Sequence, residues 1–119
     1  MNTTDKTVLT TEGQKIPAQT DVPITRILAI GSGVRPLTDE DRATIMPKEV
    51  RATVDLYLRG KIDQWWFRGD GRGVVFLLNV ASVEDAHAML EKLPLGVAKL
   101  MTFELMPLSP LKPLMALIA

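Results

Sequence analysis

Two largely apolar runs, Gln64-Trp65-Trp66-Phe67 and Val74-Val75-Phe76-Leu77-Leu78, flank a glycine-rich segment that contains Asp70-Gly71. Asp-Gly is a hairpin signal, because glycine accepts the positive φ angles that tight turns between strands require. The two runs are therefore expected to be antiparallel neighbours, over residues 62–67 and 74–80. Neither run alternates apolar with polar residues, so neither strand has a side to give to water. A layer of helices covers one face of a sheet, and the second face then needs a cover of its own.

Helix signals fall on both sides of this hairpin. Thr38 is followed three residues later by Asp41, with Asp39 and Glu40 in the first turn, where carboxylates favour the positive end of the helix dipole. Pro47 cannot continue such a helix but suits the first turn of a new one, so a break is expected near Met46. Val50, Val54, Tyr57 and Leu58 then recur at helical spacing as an apolar inward face, and Gly60 is placed to end it. Ser82 with Asp85 repeats the capping pattern ahead of Ala86, Met89, Leu90 and Leu93, an i, i+3, i+4, i+7 set that runs to Pro94. A first strand is expected over residues 24–30, closed by Gly31-Ser32-Gly33, and a last one over residues 99–105. The resulting order, strand, helix, strand, strand, helix, strand, is that of the α+β ferredoxin-like βαββαβ fold, with both helices on one sheet face.

The chain has 119 residues, enough for one domain. Residues 1–22 form a polar arm with scattered apolar side chains, residues 23–106 the folded domain, and residues 107–119 an apolar arm. Pro107, Pro110 and Pro113 are expected to hold that last arm extended, while Leu108, Leu111, Leu114, Met115, Leu117 and Ile118 offer apolar surface to a neighbouring subunit.

Fourteen basic residues balance fourteen acidic ones, so the field that nucleic acid or an anionic membrane attracts is missing, and neither is expected as a partner. With no cysteine and one histidine, thiolate chemistry and Cys-ligated metals are excluded and a His-based metal site is a poor prospect. No metal or cofactor is expected. The N-terminus lacks the apolar core of a signal peptide and no run is long enough to span a bilayer, so a cytoplasmic protein is expected.

Several residues carry candidate chemistry. Trp65 and Trp66 are adjacent on a strand and point to opposite faces, one under the helices and the other toward the open face. Trp66 is placed as the wall of an apolar pocket there or as part of a dimer core, with Phe76 and Phe103 nearer the core. Tyr57 shares the helix face of Val54. His87 lies one residue off its helix's apolar face, where a surface position is the plain expectation. The arginines and glycines between Arg68 and Gly73 have no helix after them to complete a phosphate cradle, so they are expected as a hairpin tip.

From about Glu49 to Leu95 the chain resembles the muconolactone delta-isomerase family of dimeric α/β-barrel proteins. The residues that carry this are Trp66 in the second strand, Val80-Ala81-Ser82-Val83-Glu84 entering the second helix, and Leu93-Pro94-Leu95 ending it. The resemblance implies a dimeric barrel assembling into homo-oligomers, and it makes Glu49 the candidate proton carrier. Phe67 stands where the family has an arginine, and Gly71-Arg72 where it has His-Tyr, so strict muconolactone specificity is not expected.

The function expected is that of a cofactor-independent isomerase that moves a proton next to a carbonyl on a small organic acid or lactone. Glu49 carries the proton, Trp66, Phe76 and Tyr57 contribute to substrate binding, and Arg68 or Arg26 holds a carboxylate. Two alternatives stand beside it: a non-catalytic small-molecule-binding or assembly module, and a cofactor-free monooxygenase on the same fold.

Overall fold

A computed structural model describes residues 22–118. The polar arm expected over residues 1–22 lies outside the described residues except for Val22. The sheet and its helices occupy Ile24–Leu108, and the segment after Leu108 belongs to a separate unit. Among the described residues no helix is long and apolar enough to cross a membrane.

The elements run β1 (Arg26–Gly33), α1 (Asp39–Thr44), α2 (Met46–Leu58), β2 (Ile62–Phe67), β3 (Val74–Leu78), α3 (Val83–Glu91), α4 (Pro94–Val97) and β4 (Met101–Leu108). The four strands form one sheet in the order β2-β3-β1-β4, and every neighbouring pair is antiparallel. This α+β arrangement, with each strand-helix-strand unit split by a third strand, is compatible with the ferredoxin-like fold.

The helix starts are built as the sequence implies. The Asp41 amide donates to Thr38 Oγ1 at 3.0 Å and the Thr38 amide donates to Asp41 Oδ2 at 2.9 Å, a reciprocal cap that satisfies two otherwise orphan donors. Arg35 also donates to Asp41, and with the Thr38 amide it pulls the Asp41 carboxyl down to about 2. The chain breaks at Ile45 and restarts with Pro47 in the first turn of α2. Gly60, at φ +79°, ends that helix. Ser82 Oγ accepts from the Asp85 amide at 3.0 Å to start α3. Lys61 to Val80 folds as the expected hairpin, with Arg68 and Gly73 closing its tip through a 2.8 Å backbone bond.

Burial alternates cleanly along β1, and Ile27 and Ala29 share one side with Phe76 and Leu78 of β3 and Ile62 of β2. These pack with Ala86, Leu90 and Leu93 into one cluster between sheet and helices. Ile27, Ile62 and Leu78 are fully buried, each contributing about 1.5–3 kcal/mol of transfer free energy. The opposite side presents Leu28, Ile30, Val75 and Leu77, all half-buried, with the more exposed Trp66 beside them.

Four expectations are corrected. The inward side of α2 is Glu49, Ala52, Thr53 and Leu56, whereas Val50 and Leu58 are 53% and 76% exposed. Glu49 and Thr53 are buried and Ala52 and Leu56 pack against the core, while Val54, Tyr57 and Leu58 remain exposed. β1 does not stop at Gly31 but continues through Gly33, because glycine there permits close backbone approach. A Cβ on Gly73 would lie 2.0 Å from the Gly31 carbonyl oxygen. β4 runs through Pro107 to Leu108, which the sheet tolerates because β4 is an edge strand. Residues Lys112–Leu117 form a 3₁₀ helix rather than an extended segment, with the Leu114 amide bonded to the Leu111 carbonyl at 3.1 Å.

Candidate functional site

Between the inner side of the sheet and the helices lies a cavity of about 460 Å³. The N-terminal half of α2 supplies Glu49 and Thr53, β2 and β3 supply Trp65 and Phe76, β4 supplies Phe103, and the hairpin tip supplies Arg72. The volume lies in the range of sites that enclose small organic ligands.

An ordered row of aromatic rings runs from Tyr57, outside the lining, to Trp65, Phe76 and Phe103 within it. Tyr57 stacks on Trp65 with centroids 5.5 Å apart and planes 11° from parallel. Trp65 meets Phe76 at 6.3 Å, and Phe76 meets Phe103 at 5.9 Å. A bulge in β2 makes this row possible. Ile62 pairs with Leu78 and Gln64 with Leu77, so Asp63 is an extra residue on its strand. One inserted residue reverses the facing of everything beyond it. Ile62 and Trp65 thereby share the helix side, and Trp66 turns to the other.

Among the described residues Glu49 is the one acid in the lining, and it is only 8% exposed. Its Oε1 accepts the Leu95 amide at 2.9 Å, a bond that ties α2 to the start of α4. No protein donor among the described residues meets its other oxygen. Burial penalises the charged form and raises the Glu49 pKa, while the Leu95 hydrogen bond opposes the shift. Thr53 beneath it is satisfied within its own helix, its hydroxyl lying 3.0 Å from the carbonyls of Glu49 and Val50.

The residues singled out in the sequence separate into two groups. Glu49, Trp66 and Phe76 border the cavity, although it lies on the helix side of the sheet and Trp66, 48% exposed, stands on the open side. Tyr57 is not in the lining and acts on it through Trp65. Arg26 and Arg68 are not in it either. Arg26 pairs with Asp63 at the bulge. Arg68 donates to Ser32 Oγ at 2.7 Å and to Asp70 at 2.6 Å, clamping the hairpin to β1. His87 is exposed, 3.5 Å from Glu91.

Sequence reasoning set Trp65 under the helices without naming it as a cavity ring, expected the pocket on the open face with Trp66, and passed over Arg72 as a lining residue. The signal for the inner side of α2 was present in Glu49, Ala52, Thr53 and Leu56, which have i, i+3, i+4, i+7 spacing, but two small residues and a carboxylate do not announce a buried face. Among the described residues no three His, Asp or Glu side chains gather as metal ligands would. Fold and site together define a small α+β domain with a partly open apolar cavity in whose wall one carboxylate is buried. Neither a family model nor a curated protein matches the chain.

Proposed function

We propose that the protein is a cofactor-independent isomerase that moves a proton next to a carbonyl on a small organic acid or lactone. The observation that carries this is the placement of Glu49: a carboxylate removed from water, with one oxygen fixed by the Leu95 amide, in the wall of a cavity of about 460 Å³. A raised pKa brings such a group closer to the operating pH, where a proton carrier works best. In the reaction, ionised Glu49 takes a proton from the carbon next to the carbonyl, and the C–H electron pair passes into the dienolate. Glu49, whose carboxyl proton exchanges with solvent, then returns a proton to the far carbon of the conjugated system, and the double bond moves. A positioned acid-base group of this kind contributes about 10²–10⁴ in rate.

The test is to incubate the protein with muconolactone and related enol-lactones in D₂O and follow deuterium incorporation by mass spectrometry. Incorporation by the wild-type chain and its loss in Glu49→Gln support the reading. No exchange with any of these compounds, or full exchange by Glu49→Gln, removes it.

The assembly proposed with this activity is a dimeric α/β barrel in which two sheets pack through their open sides. The apolar side chains Leu28, Ile30, Val75 and Leu77 on that side, with Trp66 beside them, support it. In the separate C-terminal unit, Leu111, Leu114, Leu117 and Ile118 are exposed, which favours a subunit-contact role for that arm in larger homo-oligomers.

A further inference from the structure

Among the described lining residues, the charged or hydroxyl-bearing side chains are Glu49, Thr53 and Arg72. The Thr53 hydroxyl is spent on its own helix, and one Glu49 oxygen is spent on Leu95. Arg72 differs. Its backbone is fixed, the amide donating to Asp70 Oδ1 at 2.9 Å and the carbonyl accepting from the Gly33 amide at 2.9 Å. Its guanidinium has no ion pair or hydrogen bond among the described residues. The acid that might have claimed it, Asp70, is held by Arg68 at 2.6 Å.

Resting on the reading of this cavity as a substrate site, we propose that Arg72 binds the carboxylate of a flat, unsaturated acid whose other end lies at Glu49. Charge and shape both support it. Among the described lining residues Arg72 is the one cation, and its guanidinium, without an ion pair, favours an anionic group beside it over a neutral or cationic one. Guanidinium matches a carboxylate in two parallel hydrogen bonds, and its long stem lets it swing over a bound molecule. The faces of Trp65, Phe67, Phe76 and Phe103 suit a planar body better than a branched one.

The experiment titrates the full chain with cinnamate and with its neutral isostere cinnamamide at pH 7, following tryptophan fluorescence and calorimetry. Cinnamate is expected to bind about tenfold more tightly, as a charge-assisted hydrogen bond allows. Arg72→Gln should erase that ratio while leaving cinnamamide affinity and circular dichroism unchanged, and Arg72→Lys should restore part of it. Equal binding of the two ligands by the wild-type chain, or an undiminished ratio in Arg72→Gln, overturns the assignment. Binding of neither overturns both the anchor and the cavity as a small-molecule site. A ratio that depends on Arg72 in a chain without deuterium exchange upholds the anchor and removes the isomerase.

Discussion

Replacing Glu49 by alanine and by glutamine separates its structural from its chemical contribution. Alanine removes the acceptor of the Leu95 amide and leaves that donor unpaired where Leu95 is itself only 7% exposed. An orphaned buried donor costs about 1–3 kcal/mol. Each kcal/mol lowers the melting temperature of a domain this size by roughly 4–8 °C. Glutamine keeps a carbonyl oxygen in the same place and loses only the ionisation, so its melting temperature at pH 5 should stay close to that of the wild type. The pH dependence carries a second signature. Because the Glu49 pKa is raised in the folded chain, its contribution to stability is complete below the unfolded value near 4.5 and is lost as pH rises through the folded value. Between those two values one proton's linkage changes stability by up to about 1.4 kcal/mol per pH unit. Denaturant melts from pH 4 to 8 should therefore show the wild type losing ground to Glu49→Gln as pH rises. If glutamine costs as much as alanine, or if the two pH curves run parallel, the account of Glu49 as a buried carboxylate anchored by Leu95 is wrong.

Two further outcomes test the packing. Gly73→Ala places a methyl 2.0 Å from the Gly31 carbonyl oxygen, which is backbone and cannot step aside, so a loss of about 1–3 kcal/mol or more is expected in urea melts; Gly69→Ala, with nothing within 4 Å, should be near neutral. For the proposed two-sheet dimer, sedimentation at micromolar concentration should give at least twice the 13.1 kDa chain mass, and Ile30→Glu should lower it. A wild-type monomer at that concentration would refute the dimer.

The sequence by itself determined what depends on neighbours along the chain. Thr38 with Asp41, Ser82 with Asp85, Pro47 after Met46, and Asp70-Gly71 each act within a few residues, through a cap, a missing donor or a turn, so their consequences could be read without knowing the fold. The order of elements followed from them. What only the tertiary structure decided is on which side of the sheet the cavity lies and how Trp65 comes to face it. Asp63 is an ordinary strand residue in the sequence, yet paired against Leu77 and Leu78 it becomes a bulge, with Arg26 across from it, and the bulge puts Trp65 rather than Trp66 in the row with Tyr57 and Phe76. Likewise α2 could have buried Val50, Val54 and Leu58, and local pattern favours it. The helix instead buries Glu49 and Thr53, because Leu95, forty-six residues away, supplies the amide that makes a buried carboxylate tolerable. Arg72 likewise borders the cavity only once the hairpin is folded, its backbone fixed by Asp70 and Gly33. Caps and turns are local bonds, while facing and burial are settled by partners that the chain meets only after it has folded.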